Sequence, residues 1–213
     1  MAYQSSTELY NQSDYKYERQ WQGYLDSTHR KMLDVIIPDL EEDDRILDAS
    51  CGTGLLAMQL LEQASSFREL VLNDVSPKNL GIAHSRLSDD PRVSFTAYPP
   101  NDLQFGDNRF TRVICLNALH GYTNPSAAIR QFKNIMTPHG RLYLIDWNRS
   151  GWFRFINLLI RWFGKDRVNT MNLSEITQLL QEHHYSIVKT DQWNYRYWRL
   201  CLVVAGFQPW RKQ

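Results

Sequence analysis

The segment Ile46-Leu47-Asp48-Ala49-Ser50-Cys51-Gly52-Thr53-Gly54-Leu55-Leu56-Ala57 narrows the choice of fold more than any other part of this chain. An apolar run ends in an aspartate, a turn of small residues follows, and a helix-forming sequence comes next. This is the layout of a strand–loop–helix that holds a nucleotide. Glycines let the backbone approach a ligand and take φ > 0 where the chain must turn. The N-terminus of the following helix offers unpaired N–H groups and the positive end of a dipole.

The alternation continues downstream. Residues 45–49, 70–73, 93–96, 112–116 and 141–147 read as short apolar strands, and residues 55–63, 77–87 and 127–136 as helices. Pro77 stands in a first turn, and Pro138 and Gly140 close the last of these helices. Strands alternating with helices predict a parallel, doubly wound sheet, whose ligands lie at the carboxyl ends of the strands where the strand order reverses. The tail departs from this rhythm. Residues 173–183 read as a helix with Asn172 or Ser174 as its cap. Residues 186–190 and 197–205 read as strands joined by a turn around residues 192–194, and strands so close in sequence pair antiparallel. The expected fold is α/β: a Rossmann-like, doubly wound, seven-stranded and mostly parallel sheet with a C-terminal antiparallel hairpin. Residues 1–44 are expected to form a helical cap segment. Residues 45–213 are expected to form the ligand-binding domain, with an insertion at about 150–172.

The balance of 24 Lys and Arg against 23 Asp and Glu, over 213 residues, gives no electrostatic reason to expect a nucleic-acid partner. Cys51, Cys115 and Cys201 are widely spaced, with neither metal-ligand nor redox-pair separation, so no metal is expected. No apolar signal core opens the chain and no apolar run reaches membrane-spanning length, which points to a reduced, cytoplasmic protein.

Two ligands fit the glycine loop. Gly52-Thr53-Gly54-Leu55-Leu56-Ala57 matches the dinucleotide fingerprint, and Asp74 lies where that fingerprint places its ribose-binding acid. Asp48, however, precedes the glycines directly. It would repel a pyrophosphate and attract an ammonium group. Asp74 follows the second strand, and Asn101 and Asp102 follow the third, where they could accept from ribose hydroxyls and from an adenine amino group.

These residues resemble the class I S-adenosylmethionine-dependent methyltransferases, in particular the small-molecule enzymes of ubiquinone and menaquinone biosynthesis. The family's acid-x-Gly-x-Gly-x-Gly loop is matched by Asp48-Ala49-Ser50-Cys51-Gly52-Thr53-Gly54, with Ser50 in place of the first glycine. Asn73-Asp74-Val75-Ser76-Pro77 is similar to its second motif. Leu103 to Phe110 is similar to its segment before the fourth strand, with Thr111 where an aspartate is usual. Leu116-Asn117-Ala118-Leu119-His120-Gly121-Tyr122 is similar to the following loop, and Met136-Thr137-Pro138-His139-Gly140 to a later turn. The resemblance implies S-adenosylmethionine as methyl donor, held by Asp48, Ser50, Cys51, Gly52, Gly54, Asp74, Val75, Asn101, Asp102 and Asn117. It also implies a segment before the first strand that closes over the donor, where Tyr10, Tyr15 or Tyr17 would lie near it. An NAD(P)-dependent oxidoreductase, or a non-catalytic protein that keeps the fold, are the alternatives.

Methyl transfer needs a general base only if the acceptor loses a proton. His120, after the fourth strand, is the candidate base, with packing of a loop histidine as its plainer role. Tyr122 could orient the acceptor or form pocket wall. Asp146 and Trp147 end the fifth strand and are candidates to face substrate. Residues 151–163 are largely apolar, with Arg154, Asn157 and Arg161 on one helical face. Such a segment serves as a core-facing helix, as a lid or as a peripheral membrane contact, and the last two imply a small apolar or aromatic acceptor. The sequence does not give the oligomeric state.

Overall fold

The computed structural model describes residues 4–64, 66–155 and 169–207, with side chains from residue 18 onward. Seven strands form one sheet: β1 (Arg45–Asp48), β2 (Glu69–Asn73), β3 (Val93–Thr96), β4 (Phe110–Leu116), β5 (Met136–Trp147), β6 (Ser186–Tyr195) and β7 (Trp198–Gly206). Their order across the sheet is β3-β2-β1-β4-β5-β7-β6. The first five run parallel, and β7 runs against both of its neighbours. The expected seven-stranded sheet with a terminal antiparallel hairpin is therefore present.

Side-chain alternation along the strands divides the core in two. One face gathers Leu47, Val113, Cys115, Leu142, Leu144 and Val203. Against it pack α4 (Pro125–Ile135), through Ile129 and Phe132, and α5 (Leu173–Glu182), through Ile176 and Leu180. The other face gathers Ile46, Leu70, Leu72, Ile114, Tyr143 and Ile145. It is covered by Met32 and Ile36 of α1 (Gln4–Ile36), Leu56 and Leu60 of α2 (Leu55–Gln63), and Ala83 and Leu87 of α3 (Pro77–Leu87). Central strands buried on both sides read as continuous apolar runs, which is why β4 is legible from composition alone.

Local chemistry sets the helix starts. Ser76 and Asn124 cap α3 and α4 by accepting from the N–H groups of Asn79 and Ala127. Asn172, one of the two expected caps, forms a capping box with Glu175 at the start of α5. α2 starts differently. Gly54 stands at its N-cap with φ 79°. A Cβ on Gly54 would also lie 3.1 Å from the Ala83 Cβ, so the position needs glycine for its conformation and for the close approach of α3.

Most boundaries fall within two residues of the sequence reading, and two differ by more. Met136 already pairs with Phe110 at the start of β5, and the register slips before Arg112 meets Arg141. The Thr137-Pro138-His139-Gly140 stretch is thus an irregularity inside the strand rather than a turn that precedes it. The hairpin turn also lies further on. β6 continues through residues 192–194 to Tyr195, which pairs with Trp198. Gln192 and Asn194 look like turn residues because they are polar. In the sheet they alternate with Trp193 and Tyr195, which pack toward an aromatic cluster containing Trp21, Tyr24, Phe153, Trp198 and Leu200. Arg196 makes the turn with φ 53°.

At the sheet edge away from the glycine loop, Asp39 receives Arg112, Arg141 and the Tyr143 hydroxyl, and Asp44 takes Arg112 at 3.2 Å. This cluster fastens the C-terminal end of α1 to β4 and β5. Among the described residues no helix is long and apolar enough to cross a membrane. Of the 151–163 segment, residues 156–163 lie outside the described residues, and Asn157 and Arg161 with them.

Candidate active site

β1 and β4 are neighbours although β2 and β3 separate them in the chain, so the strand order reverses between them. A cavity of about 720 Å³ opens at their carboxyl ends. Its floor is the glycine loop: Asp48, Ser50, Cys51, Gly52 and Thr53 border it, as do Asp74 and Val75 after β2 and Asn117, Ala118, His120 and Tyr122 after β4. A second cavity of about 510 Å³ shares Ser50, Asp74, Val75, Gly121 and Tyr122 with it and continues to Pro99, Pro100 and Asn101. Together they form a bent trough across the tips of β3, β2, β1 and β4.

Asp74 organises the floor. One carboxylate oxygen accepts the Gly52 N–H at 2.9 Å, and the other accepts the Ser76 N–H at 2.9 Å and the Asn79 amide at 3.3 Å. A carboxylate has about four acceptor positions, so capacity remains for a ligand hydroxyl. Asn73 beside it is fully buried and joins the tips of three strands, donating to Ala49 and Tyr98 carbonyls and accepting from Thr96 and the Tyr98 N–H.

Asp48 is 2% exposed. Burial raises its pKa to about 7, against a backbone hydrogen bond from Ser50, and the nearby Asp74 charge adds to the rise. A cationic ligand group in the cavity would offset that burial cost. The Cys51 thiol is pushed far up by burial and by both carboxylates, so it stays protonated and acts as a small wall residue.

The second working part lies at the tips of β4 and β5. The loop after β4 forms a short turn over Leu119–Gly121, where the His120 N–H donates to one Asp146 carboxylate oxygen at 2.9 Å. The His120 ring nitrogen Nδ1 meets the other oxygen at 2.6 Å. A carboxylate can only accept, so Nδ1 carries a proton, and Nε2 presents a lone pair when the ring is neutral. Burial lowers the His120 pKa, but the charge and hydrogen bond of Asp146 outweigh it and the net shift is upward. The ring also lies flat on Trp147, with centroids 3.9 Å apart and planes 10° from parallel.

α1 forms one wall. Leu25 and His29 border the large cavity, and His29 is held by Gln59 at 3.1 Å, its pKa lowered chiefly by burial. Glu18 latches the helix to the glycine loop. It takes Arg86 of α3 at 2.9 and 3.0 Å and the Thr53 hydroxyl at 2.7 Å, while Arg86 also donates to the Thr53 carbonyl.

Among the residues expected from the sequence, the structure brings Asp48, Ser50, Cys51, Gly52, Asp74, Val75, Asn117, His120 and Tyr122 to the large cavity, and Asn101 to the smaller one. Gly54 shapes the loop without bordering either cavity. Asp102 borders neither; its N–H closes a turn onto the Pro99 carbonyl and the residue is exposed. Asn117 has φ 52°, and its side-chain amide is committed to α1, accepting from Tyr24 at 2.8 Å and donating to Thr28 at 3.1 Å. Tyr122 is buried wall. Its hydroxyl meets Ser50 at 2.7 Å and the Cys115 thiol at 3.7 Å, and burial holds the phenol well above its ordinary pKa. The side chains of Tyr10, Tyr15 and Tyr17 lie outside the described residues. The sequence reading missed the latch Glu18–Arg86 and the pairing of His120 with Asp146. A polar residue on the loop after one strand and another at the end of the adjacent strand were the signal for that pair.

Residues 46–140 match the methyltransferase domain family. The ubiquinone/menaquinone biosynthesis C-methyltransferase of Cellvibrio japonicus is 28% identical over 108 residues, a match covering 49% of this chain and 43% of that relative's length. The chain thus spans less than half of the curated relatives it matches. Among solved structures, a SAM-dependent methyltransferase from Methanosarcina mazei aligns with a TM-score of 0.68 at 19% identity, covering 80% of this chain and 96% of that one. Magnesium protoporphyrin IX methyltransferase from Synechocystis PCC 6803, solved with bound S-adenosylhomocysteine, aligns with a TM-score of 0.68 at 20% identity, covering 86% of this chain and 83% of that one. The strand order, the glycine loop and the matched residues agree: residues 46–140 are similar to the methyltransferase domain family, and the sheet has the fold of the S-adenosylmethionine-dependent methyltransferases.

Proposed function

We propose that this protein transfers a methyl group from S-adenosylmethionine to a small, apolar or aromatic acceptor that loses a proton as it reacts. The observation that carries this reading is the His120–Asp146 pair: His120 borders the same cavity as the acid-lined glycine loop, and the buried Asp146 holds its ring from behind. The donor, when bound, supplies a methyl group already activated on sulfonium. Asp48 would face its ammonium group, Asp74 its ribose hydroxyls, and Asn101 the adenine end of the trough. What this chain must add is positioning, exclusion of water and acceptance of a proton. Nε2 of His120 takes the acceptor's proton. Asp146 fixes the tautomer that leaves Nε2 free and balances the imidazolium charge that develops.

The matched relatives are named C-methyltransferases of quinone biosynthesis. A ring carbon becomes nucleophilic when a neighbouring phenol is deprotonated, which is the step a neutral histidine backed by a carboxylate supports. A hydroxylated aromatic ring with an apolar substituent is therefore the acceptor class we favour. The experiment is transfer of labelled methyl to a panel of hydroxylated aromatics and quinols, with S-adenosylhomocysteine release as a second readout. His120→Gln should reduce turnover by about 100-fold, within the usual range for a general base, while leaving donor affinity within about twofold. Turnover unchanged in His120→Gln would overturn the base assignment.

A peripheral lipid contact fits the same acceptor class. Trp152 and Phe155 are 73% and 63% exposed, and their rings lie 5.4 Å apart. Aromatic rings of this kind favour the membrane–water boundary. Flotation with anionic phospholipid vesicles should carry the protein upward, and the double change Trp152→Ser with Phe155→Ser should abolish this. Equal flotation of both forms would remove the lipid contact from the account.

A further inference from the structure

Trp147 ends β5 one residue after Asp146, and its indole touches more of the site than packing requires. One face lies on the His120 ring at 3.9 Å and 10°. Trp198, with centroids 4.7 Å away, and Phe153, at 6.0 Å and edge-on, fix the indole within the aromatic cluster. The indole N–H donates to the Tyr24 hydroxyl of α1 at 2.9 Å. That hydroxyl donates onward to the Asn117 side-chain oxygen at 2.8 Å, and the Asn117 amide donates to Thr28, one turn further along α1, at 3.1 Å. Thr28 completes the chain by donating to the Tyr24 and Leu25 carbonyls. Every polar group in this run therefore has a partner. The run starts at the ring beneath His120 and ends in the helix whose Leu25 and His29 wall the cavity.

We propose that Trp147 is a positioning residue for His120, and that α1 sets the plane of the histidine ring through the Tyr24–Trp147 hydrogen bond. This rests on the reading of His120 as the base. Two restraints act on the ring from different directions. Asp146 holds Nδ1 at one edge, and the indole holds the face. A histidine held only at Nδ1 could still swing about that hydrogen bond and carry Nε2 away from the acceptor. The indole prevents that swing. An indole face also favours the imidazolium formed after proton transfer. The wall of the cavity and the orientation of the base thus depend on the same helix, so the base is aligned when α1 is seated.

The ionisable groups that share the cavity with His120 are Glu18 and His29 on α1, Asp48, Cys51 and Asp74 around the glycine loop, Lys78 on α3 and Tyr122 after β4, with Asp146 on β5 bonded to the ring. Cys115 and Tyr122 on the β4 side stay neutral, since both are pushed upward by burial. Asp146 is the charge that acts on the histidine. A change at Trp147 or Tyr24 leaves all of these in place, so it separates orientation from charge.

The test is nuclear magnetic resonance of the full chain labelled with 15N-histidine, with and without S-adenosylhomocysteine. The His120 signals are assigned by their loss in His120→Gln. In the wild type a single tautomer is expected, with a slowly exchanging Nδ1–H. Trp147→Phe keeps a ring but removes the N–H. Tyr24→Phe removes the hydroxyl that accepts from the indole and is the milder change, should Trp147→Phe fold poorly. Both should speed exchange of the Nδ1–H by about tenfold or more and mix the tautomers, as expected when a buried hydrogen-bonded group gains freedom. Trp147→Leu, which removes the ring, should do so further. A purely structural role for Trp147 predicts a lower Tm with the His120 tautomer and exchange rate unchanged, and that result would overturn the proposal. Because these signals are read without an acceptor, they remain decisive even if His120→Gln is found to turn over normally, which would overturn the base reading instead.

Discussion

Asp48 carries the sharpest electrostatic consequence of any single residue here. Its folded-state pKa is about 7, against 3.8 for an ordinary aspartate. Between those values the folded protein binds more protons than the unfolded chain, so this residue makes stability fall as pH rises from about 4 to 7. Ionised Asp48 then costs the ligand-free protein up to about 4 kcal/mol, since each tenfold change in a protonation equilibrium is worth about 1.4 kcal/mol. Asp48→Asn should raise Tm at pH 8 and flatten that pH dependence in thermal melts; an unchanged melt would place Asp48 in a more solvated setting. A ligand ammonium group reverses the effect. Binding of S-adenosylhomocysteine should weaken by about tenfold for every pH unit below 7, because Asp48 must lose its proton to bind. Calorimetry at pH 5.5 and 7.5 reads this directly, and Asp48→Asn should abolish the difference. The acids that follow strands, Asp48 and Asp74, were legible in the sequence because their place in the strand–loop–helix fixes where they point. The pairing of His120 with Asp146 was not, since they are 26 positions apart and the β4–β5 pairing brings the loop after β4 to the end of β5.

At the scale of elements, the parallel core was readable because each unit announces itself. α2, α3 and β3 lie where proline, glycine and apolar runs predict them. The tail was readable in kind but not in register. Polar residues 192 and 194 occupy the outer face of an edge strand, and one-sided burial there looks like a turn when only composition is seen. The true turn carries Arg196 at φ 53°, a conformation that glycine adopts at less cost. Arg196→Gly should therefore stabilise the hairpin by about 0.5 kcal/mol, seen as a small rise in Tm; a fall would show that the Arg196 side chain matters more than its backbone. The latch on α1 could not be read at all, because Glu18 and Arg86 are 68 residues apart. Both side chains are largely buried, at 13% and 14% exposed. Breaking one side of such a pair leaves the other uncompensated. Arg86→Met should speed release of S-adenosylhomocysteine by about fivefold or more in stopped-flow measurements, because loss of an interfacial pair acts mainly on dissociation. An unchanged rate would mean that α1 does not gate this cavity.

For the molecule as a whole, the reversal of strand order between β1 and β4 is what turns scattered residues into one site. It opens the trough and sets the glycine loop and the His120 loop side by side, and α1 then covers them from the other layer. The fold, and the grouping of the glycine loop with Asp48 and Asp74 at one cavity, followed from the chain's own pattern. The proposed acceptor end depends on long-range packing among Tyr24, Trp147, Phe153 and Trp198, which no local pattern reveals. A trough floored by Asp48 and Asp74 suits S-adenosylmethionine, with its ammonium group and ribose, better than the pyrophosphate of a dinucleotide. Isothermal titration tests it most directly. S-adenosylhomocysteine should bind with a Kd in the micromolar range, about −8 kcal/mol, and Asp74→Ala should weaken it by about tenfold or more through loss of a charge-assisted hydrogen bond. NADH should give no heat of binding. Binding of NADH with no response to S-adenosylhomocysteine would contradict the account.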